Sequence, residues 1–274
     1  MSEIFYNAKN FNISNGFVRN PDRYYLEEFF KQRPAINADI DQAYTVEVAR
    51  AANKDFEVIG TNMTTALCTF DVDGHAGIKI STATADEDQA IIAPRLDVGQ
   101  SAWTGVKWGT KNQIEWECAI SLPALDNQKV WAGLKLTMDQ LIATDADQLF
   151  FKYQTVATNS EAFADYNKLH FIHSIGGTDY ISQLPITIKK DEVYKLRITI
   201  DSSRFLRIFV NGKQYNITTT PGSTGGTAVT TGTTPSKALT DGVNLIPYIG
   251  IETGTASSES LNVYYQKISR VLFE

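Results

Sequence analysis

The sequence predicts an all-β protein: an antiparallel sandwich preceded by an N-terminal arm that carries one short helix. Three observations carry this. From Tyr44 onward, short runs alternate apolar and polar residues with period two, and Gly, Asp, Asn or Pro separates them. Helix start and stop signals are nearly absent outside the first 43 residues. The chain of 274 residues is 43% hydrophobic and 20% charged, enough to build a sizeable core. Many strands with no alternating helices exclude a doubly wound α/β enzyme fold.

In chain order, residues 1–43 form the arm. SEIFYNAKNFNISNGF mixes aromatics with Asn and Ser and keeps no steady period. Asn20 then reads as an N-cap, with Pro21 at the first helical position and Asp22 in the first turn. Tyr25, Leu26, Phe29 and Phe30 recur at helical spacing, so a short helix ending at Pro34 is expected. Five aromatics between Phe17 and Phe30 are too many for a solvated tail and call for burial on the domain or on a neighbouring molecule.

Residues 44–274 form the sandwich domain. YTVEVAR alternates, and ALCTFDV, AGIKIST, QAIIAP, QIEWECAI, KVWAGLKLT, QLFFKYQ and KLHFIHSI follow as strands. VYKLRITID sets Tyr194, Leu196, Ile198 and Ile200 on one face against Lys195, Arg197 and Thr199 on the other. Asp201-Ser202-Ser203 turns the chain into RFLRIFV. Asn211-Gly212 makes a two-residue hairpin, because a type I′ turn needs positive φ at both positions. The Thr/Gly-rich loop at 218–242 is expected as a flexible projection or an extended, strand-like arm. LIPYIGIET and SLNVYYQKISRVLFE close the chain as strands.

Charge and motifs narrow the function. With 25 basic and 31 acidic residues the net charge is −6, which argues against general binding to nucleic acid or an anionic membrane. No 18-residue apolar run occurs and the N-terminus lacks the pattern of a secretory signal, so the Asn12, Asn62 and Asn216 sequons read as chance matches. Cys68 and Cys118 lie in strand-like apolar runs and read as buried free thiols. Glu115 and Glu117 share a strand face, the arrangement of a retaining glycosidase pair. The simpler reading is a polar outer face opposite Ile114, Trp116 and Cys118.

Asp71 and Asp73, and Asp86, Glu87 and Asp88, offer oxygen ligands without a full calcium-loop pattern. His170 and His173 fall on opposite faces of one strand, which is wrong for a shared metal, and His75 has no nucleophile motif around it. No cofactor is expected, and the enzyme case is thin. Trp131 reads as core, whereas Trp103 and Trp108 sit in a loop-edge pattern where a sugar ring could stack.

The stretches 113–151 and 193–272 resemble a group of tailed-phage virion structural proteins with a concanavalin A-like or laminin-G-like jelly-roll sandwich. The resemblance lies in QIEWECAISLPALDNQKVWAGLKLT, ATDADQLFFKY, YKLRITIDSSRFLRIFVNGKQY, IPYIGIET and SLNVYYQKISRVL, in that order. It implies a non-enzymatic capsid decoration or cement protein on the exterior of the virion, made in the host cytoplasm and bridging major capsid subunits. Sister copies are a further expected partner. The aromatics Phe5, Tyr6, Phe11, Phe17, Tyr24, Tyr25, Phe29 and Phe30 are the candidate docking residues, repeated weak contacts adding by avidity. The alternative is a lectin-like module binding a glycan on a tail fibre or capsid surface.

Overall fold

The alternating runs pair into two stacked sheets. The computed structural model describes residues 22–31, 33–37, 56–70, 77–94, 107–155, 161–234 and 237–272. Its first strands are β1 (Arg23–Glu28), β2 (Ala35–Asn37), β3 (Phe56–Ile59), β4 (Cys68–Phe70), β5 (Ile78–Ser81) and β6 (Gln89–Pro94). Next come β7 (Trp108–Gly109), β8 (Glu115–Ser121), β9 (Gln128–Lys135), β10 (Gln148–Gln154), β11 (Lys168–Ile175) and β12 (Thr178–Thr187). The last are β13 (Tyr194–Ile200), β14 (Leu206–Val210), β15 (Lys213–Tyr215), β16 (Thr227–Ala228), β17 (Asn244–Thr253) and β18 (Ser260–Val271).

The first sheet runs β15-β14-β13-β8-β18-β5-β4, and β1 also pairs with β18. The second runs β16-β12-β11-β10-β9-β17-β6-β3-β2, with β7 also on β17. Pairing is antiparallel except for β2 with β3 and β12 with β16. The inner faces meet in one apolar layer that includes Trp116, Ile198 and Leu261 from the first sheet and Phe151, Phe171 and Ile249 from the second. This is the all-β sandwich expected. Between the sheets, a cavity of about 10 Å³ lined by Ile120, Val130, Phe151, Tyr153 and Leu196 has room for no more than a water molecule.

The two sheets differ on their outer faces. In the first sheet β13 and β14 alternate buried and partly exposed residues, the pattern of a sheet with one face open to water. In the second, every residue of β9 and β10 is buried. Both faces of those strands are therefore covered.

The expected helix at 20–34 is corrected. Arg23–Glu28 is a strand, paired antiparallel with β18 from Arg23↔Val271 to Glu28↔Gln266. Residues 25, 26, 29 and 30 do recur at helical spacing, but Tyr24 and Leu26 also share one strand face. Six-residue pairing with a long terminal strand outweighs the weak local preference. β1 joins the first sheet and β2 the second, so segments before residue 43 contribute strands to both sheets.

The hairpins follow the expected chemistry. Asn211 and Gly212 have φ of 49° and 78°, and Val210 pairs with Lys213 across them. The Thr/Gly-rich stretch is extended and attached: β16 pairs with β12, Tyr215 bridges Thr231, and Leu239 is buried.

Candidate functional site: a roofed polar face and an aromatic edge

On the outer face of the second sheet, strand register lines up polar residues in rows. One row runs Gln89–Glu252–Lys129–Gln154, and the next Gly250–Trp131–Lys152–His170–Gln183. A third, Ile246–Lys135–Gln148–Ser174–Asp179, lies across an apolar row containing Tyr248, Phe150, Ile172 and Ile181. Trp131 can lie flat against its neighbour because residue 250 is glycine: a Cβ there would stand 2.2 Å from the indole.

Residues 136–147 and 161–166 roof this face. Ile142 and Phe163 from the roof pack into the apolar row with Trp131, Phe150 and Ile172. Phe163 stacks on His170 at 4.1 Å and is bridged to Gly225 of the Thr/Gly-rich stretch.

Three lysines fasten the roof, Lys129 and Lys135 on β9 and Lys152 on β10. Lys152 Nζ donates to the Gln140 carbonyl at 3.0 Å, to Gln140 Oε1 at 2.6 Å and to Glu161. Lys135 pairs with Asp145 at 3.1 Å, and that carboxylate accepts from the Leu136 and Thr137 amides. Lys129 pairs with Glu252, which also accepts from Gln140 Nε2 at 3.3 Å. Burial pushes Lys135 and Lys152 below the usual lysine range, with Asp145 and Glu161 respectively opposing it. Each charge has its counter-charge inside the fold, as buried ions require. Trp131 Nε1, Gln154 Oε1 and His170 Nε2 are buried there without hydrogen-bond partners.

The two histidines lie on opposite faces, as expected. His170 is under the roof, and His173 is in the interior, stacked on Tyr180 at 4.7 Å. Burial pushes His170 down to about 4 and His173 down to about 3. Among the described residues no cluster of three or more metal-ligating side chains occurs.

Glu115 and Glu117 lie on the outer face of the first sheet, where Glu117 belongs to a ladder of alternating charge, Glu27–Lys267–Glu117–Arg197. Lys267 Nζ is 3.1 Å from Glu117, the Tyr265 hydroxyl donates to Glu117 at 2.5 Å, and Arg197 lies over the Phe209 ring at 4.1 Å. That ladder is the polar outer face anticipated for this pair.

The remaining candidates divide. Asp88 is buried and caps a turn by accepting from the Ala85 amide at 2.8 Å. Trp108 is buried, and both cysteines are buried and form no disulfide. Asp71, Asp73, His75 and Trp103 fall outside the described residues, as do the docking candidates Phe5, Tyr6, Phe11 and Phe17. Of the other docking candidates, Phe30 is 1% exposed within the domain's own core. Tyr25 is half-buried, whereas Tyr24 and Phe29 are 36% and 42% exposed.

These two belong to a pattern the sequence did not announce. Five large hydrophobic residues are exposed among the described residues: Tyr24, Phe29, Phe70, Val193 and Leu272. All but Val193 are on or next to β1, β4 and the end of β18. β8 occupies one side of β18, so β1 and the β5–β4 pair share the other. This edge of the first sheet is where the chain enters from its N-terminal segment, and the Leu272 amide donates to the Asp22 carbonyl there at 2.8 Å.

No protein-family model matches the chain, and no curated protein does. Solved structures do. A Shewanella oneidensis MR-1 protein of unknown function, SO2946, matches with a TM-score of 0.50 at 8% identity, over 90% of this chain and 86% of that one. The Emp46p carbohydrate recognition domain matches at 0.47 and 8%, over 78% and 88%. The family 7 alginate lyase A1-II′ matches at 0.44 and 16%, over 78% and 85%. At these identities the likeness is one of fold alone, and the two-sheet β-sandwich of this chain is consistent with those of its structural neighbours. The expectation that the chain is not an enzyme is corrected, because alginate lyases and glucanases are among the sandwiches similar to it.

Proposed function

We propose that the chain is a viral structural protein that docks on the outer surface of a capsid and bridges its major subunits. The sequence resemblance to phage virion proteins is what supports a capsid as the particle. The observation that carries docking is the clustering of exposed Tyr24, Phe29, Phe70 and Leu272 along one edge of the first sheet, beside the aromatic-rich segment that precedes β1. Exposed apolar residues gathered along one sheet edge are a feature of contact surfaces. The roofed face is unsuited to this role, because its charges are already neutralised from within the fold. Trp108 and Trp131 are both buried, so neither offers a surface on which a sugar ring could stack.

The test is quantitative peptide mass spectrometry on gradient-purified particles of the virus that encodes the chain. Copies comparable to the major shell protein are expected. Absence from the particles would overturn the proposal, and a handful of copies would move the protein to a tail or fibre.

A further inference from the structure

Lys152, Gln140 and Glu161, which fasten the roof to the second sheet, also form a reactive arrangement. Lys152 stands on β10 inside the run FFKYQ, and Gln140 and Glu161 come from separate segments of the roof. All three are buried. Lys152 Nζ is 2.6 Å from Gln140 Oε1, so the amide carbon lies one C=O bond further on. Glu161 accepts a hydrogen bond from the same Nζ, and the Ile142 amide anchors its other oxygen. The Gln140 amide nitrogen, which would be the leaving group, faces Glu252 at 3.3 Å. An amine, a primary carboxamide and a carboxylate are therefore held together away from water, and such positioning supplies much of the barrier reduction in an intramolecular reaction.

We propose that Lys152 and Gln140 join spontaneously through an ε-(γ-glutamyl)lysine isopeptide bond, with Glu161 carrying the protons. The steps balance without any oxidant or cofactor. The buried ion pair exchanges its proton, giving a neutral amine and a carboxylic acid, and desolvation of Lys152 favours that exchange. The Nζ lone pair attacks Gln140 Cδ and a C–N bond forms. Glu161 gives its proton to Nε2, the old C–N bond breaks and ammonia leaves. Glu161 then takes the surplus proton from the new amide nitrogen and passes it to ammonia. One lysine ammonium and one carboxamide become one secondary amide and one ammonium ion.

Lys135, Gln148 and Asp145 provide an internal comparison. Lys135 donates to Gln148 Oε1 and pairs with Asp145 at 3.1 Å. The Gln148 amide nitrogen, however, is held by the Ile142 carbonyl at 2.6 Å and the Ser174 hydroxyl at 2.9 Å, not by a carboxylate. One crosslink is therefore expected, at Lys152. Its consequence is a covalent tie between the roof and the second sheet.

The experiment is mass spectrometry of the purified full chain, intact and after trypsin digestion. The intact protein should be lighter by one ammonia. Because an Asn-Gly succinimide would give the same loss, the deciding readout is the digest. A single peptide spanning residues 136–168, closed into a loop between Gln140 and Lys152 and lighter by one ammonia, should replace the 136–152 peptide, with no cleavage after Lys152. Glu161→Gln and Lys152→Arg should each abolish the ammonia loss and restore cleavage after position 152, with folding checked by circular dichroism. A linear 136–152 peptide of full mass from the folded wild-type chain would overturn the proposal, whatever the variants do.

Discussion

Acid should unfold this protein through its two buried histidines, and the size of the effect follows from where they sit. His173 lies between the sheets, stacked on Tyr180, with both ring nitrogens unpartnered. Burial pushes it down to about 3, and Lys237 adds to the effect. His170 lies under the roof against Phe163. Burial pushes it down to about 4, opposed by the Lys168 carbonyl and Asp165 and reinforced by Lys152. In the unfolded chain each histidine titrates at about 6.5. Between that value and the folded one, the unfolded state binds more protons, so stability is complete above about pH 6.5 and falls with acidification.

Each histidine contributes a slope of at most about 1.4 kcal/mol per pH unit. The accumulated loss is about 3 kcal/mol for His170 at pH 4 and about 5 kcal/mol for His173 at pH 3. The sum is comparable with the whole stability of an ordinary domain, about 5–15 kcal/mol. The assay is urea unfolding at intervals between pH 7.5 and about pH 4, with the midpoint as readout. The variant is His173→Phe, which keeps a planar ring in the stack and removes the titrating group. At pH 7 it should match the wild type to within about 1.5 kcal/mol, because no hydrogen bond is lost. It should also lose about half of the acid slope. A slope as steep in His173→Phe as in the wild type would refute the reasoning.

Other expectations follow from single contacts. Gly250→Ala drives a methyl group into the Trp131 ring and should cost about 1–3 kcal/mol, read by thermal unfolding. Phe30→Ala should cost about 3–5 kcal/mol, because the ring is in the core and not on a tail. Cys68 and Cys118 should resist thiol reagents until the chain unfolds; both are buried, and burial with the Glu117 charge raises the Cys118 thiol well above its usual range.

The sandwich was legible wherever a strand has one wet face. VYKLRITI and the Asn211-Gly212 hairpin declare themselves by period and turn chemistry alone. The arm was misread because Tyr25, Leu26, Phe29 and Phe30 satisfy helical spacing, and the partner that makes β1 a strand lies 240 residues away in β18. The roofed face left a weaker trace. Lys129, Lys135 and Lys152 stand inside apolar runs, and a lysine in a strand buried on both faces demands a carboxylate. Nothing local identifies those carboxylates as Glu252, Asp145 and Glu161, because loops and a distant strand deliver them. The exposed edge was hidden for the same reason: Phe70 and Leu272 join Tyr24 and Phe29 only after β18 brings their strands together.

Docking through this edge is the central claim, and cosedimentation with purified capsids lacking the protein tests it most directly. The structure shows where to cut. Removing residues 1–20 takes away Phe5, Tyr6, Phe11 and Phe17 and leaves β1 intact, whereas a longer deletion would tear a strand from the first sheet. The full chain should pellet with the capsids. The truncated chain, carrying Tyr24→Ser and Phe29→Ser as well, should stay in the supernatant while keeping its fold by circular dichroism. If this folded variant pellets as completely as the full chain, the edge and its preceding segment are not what holds the protein to the particle.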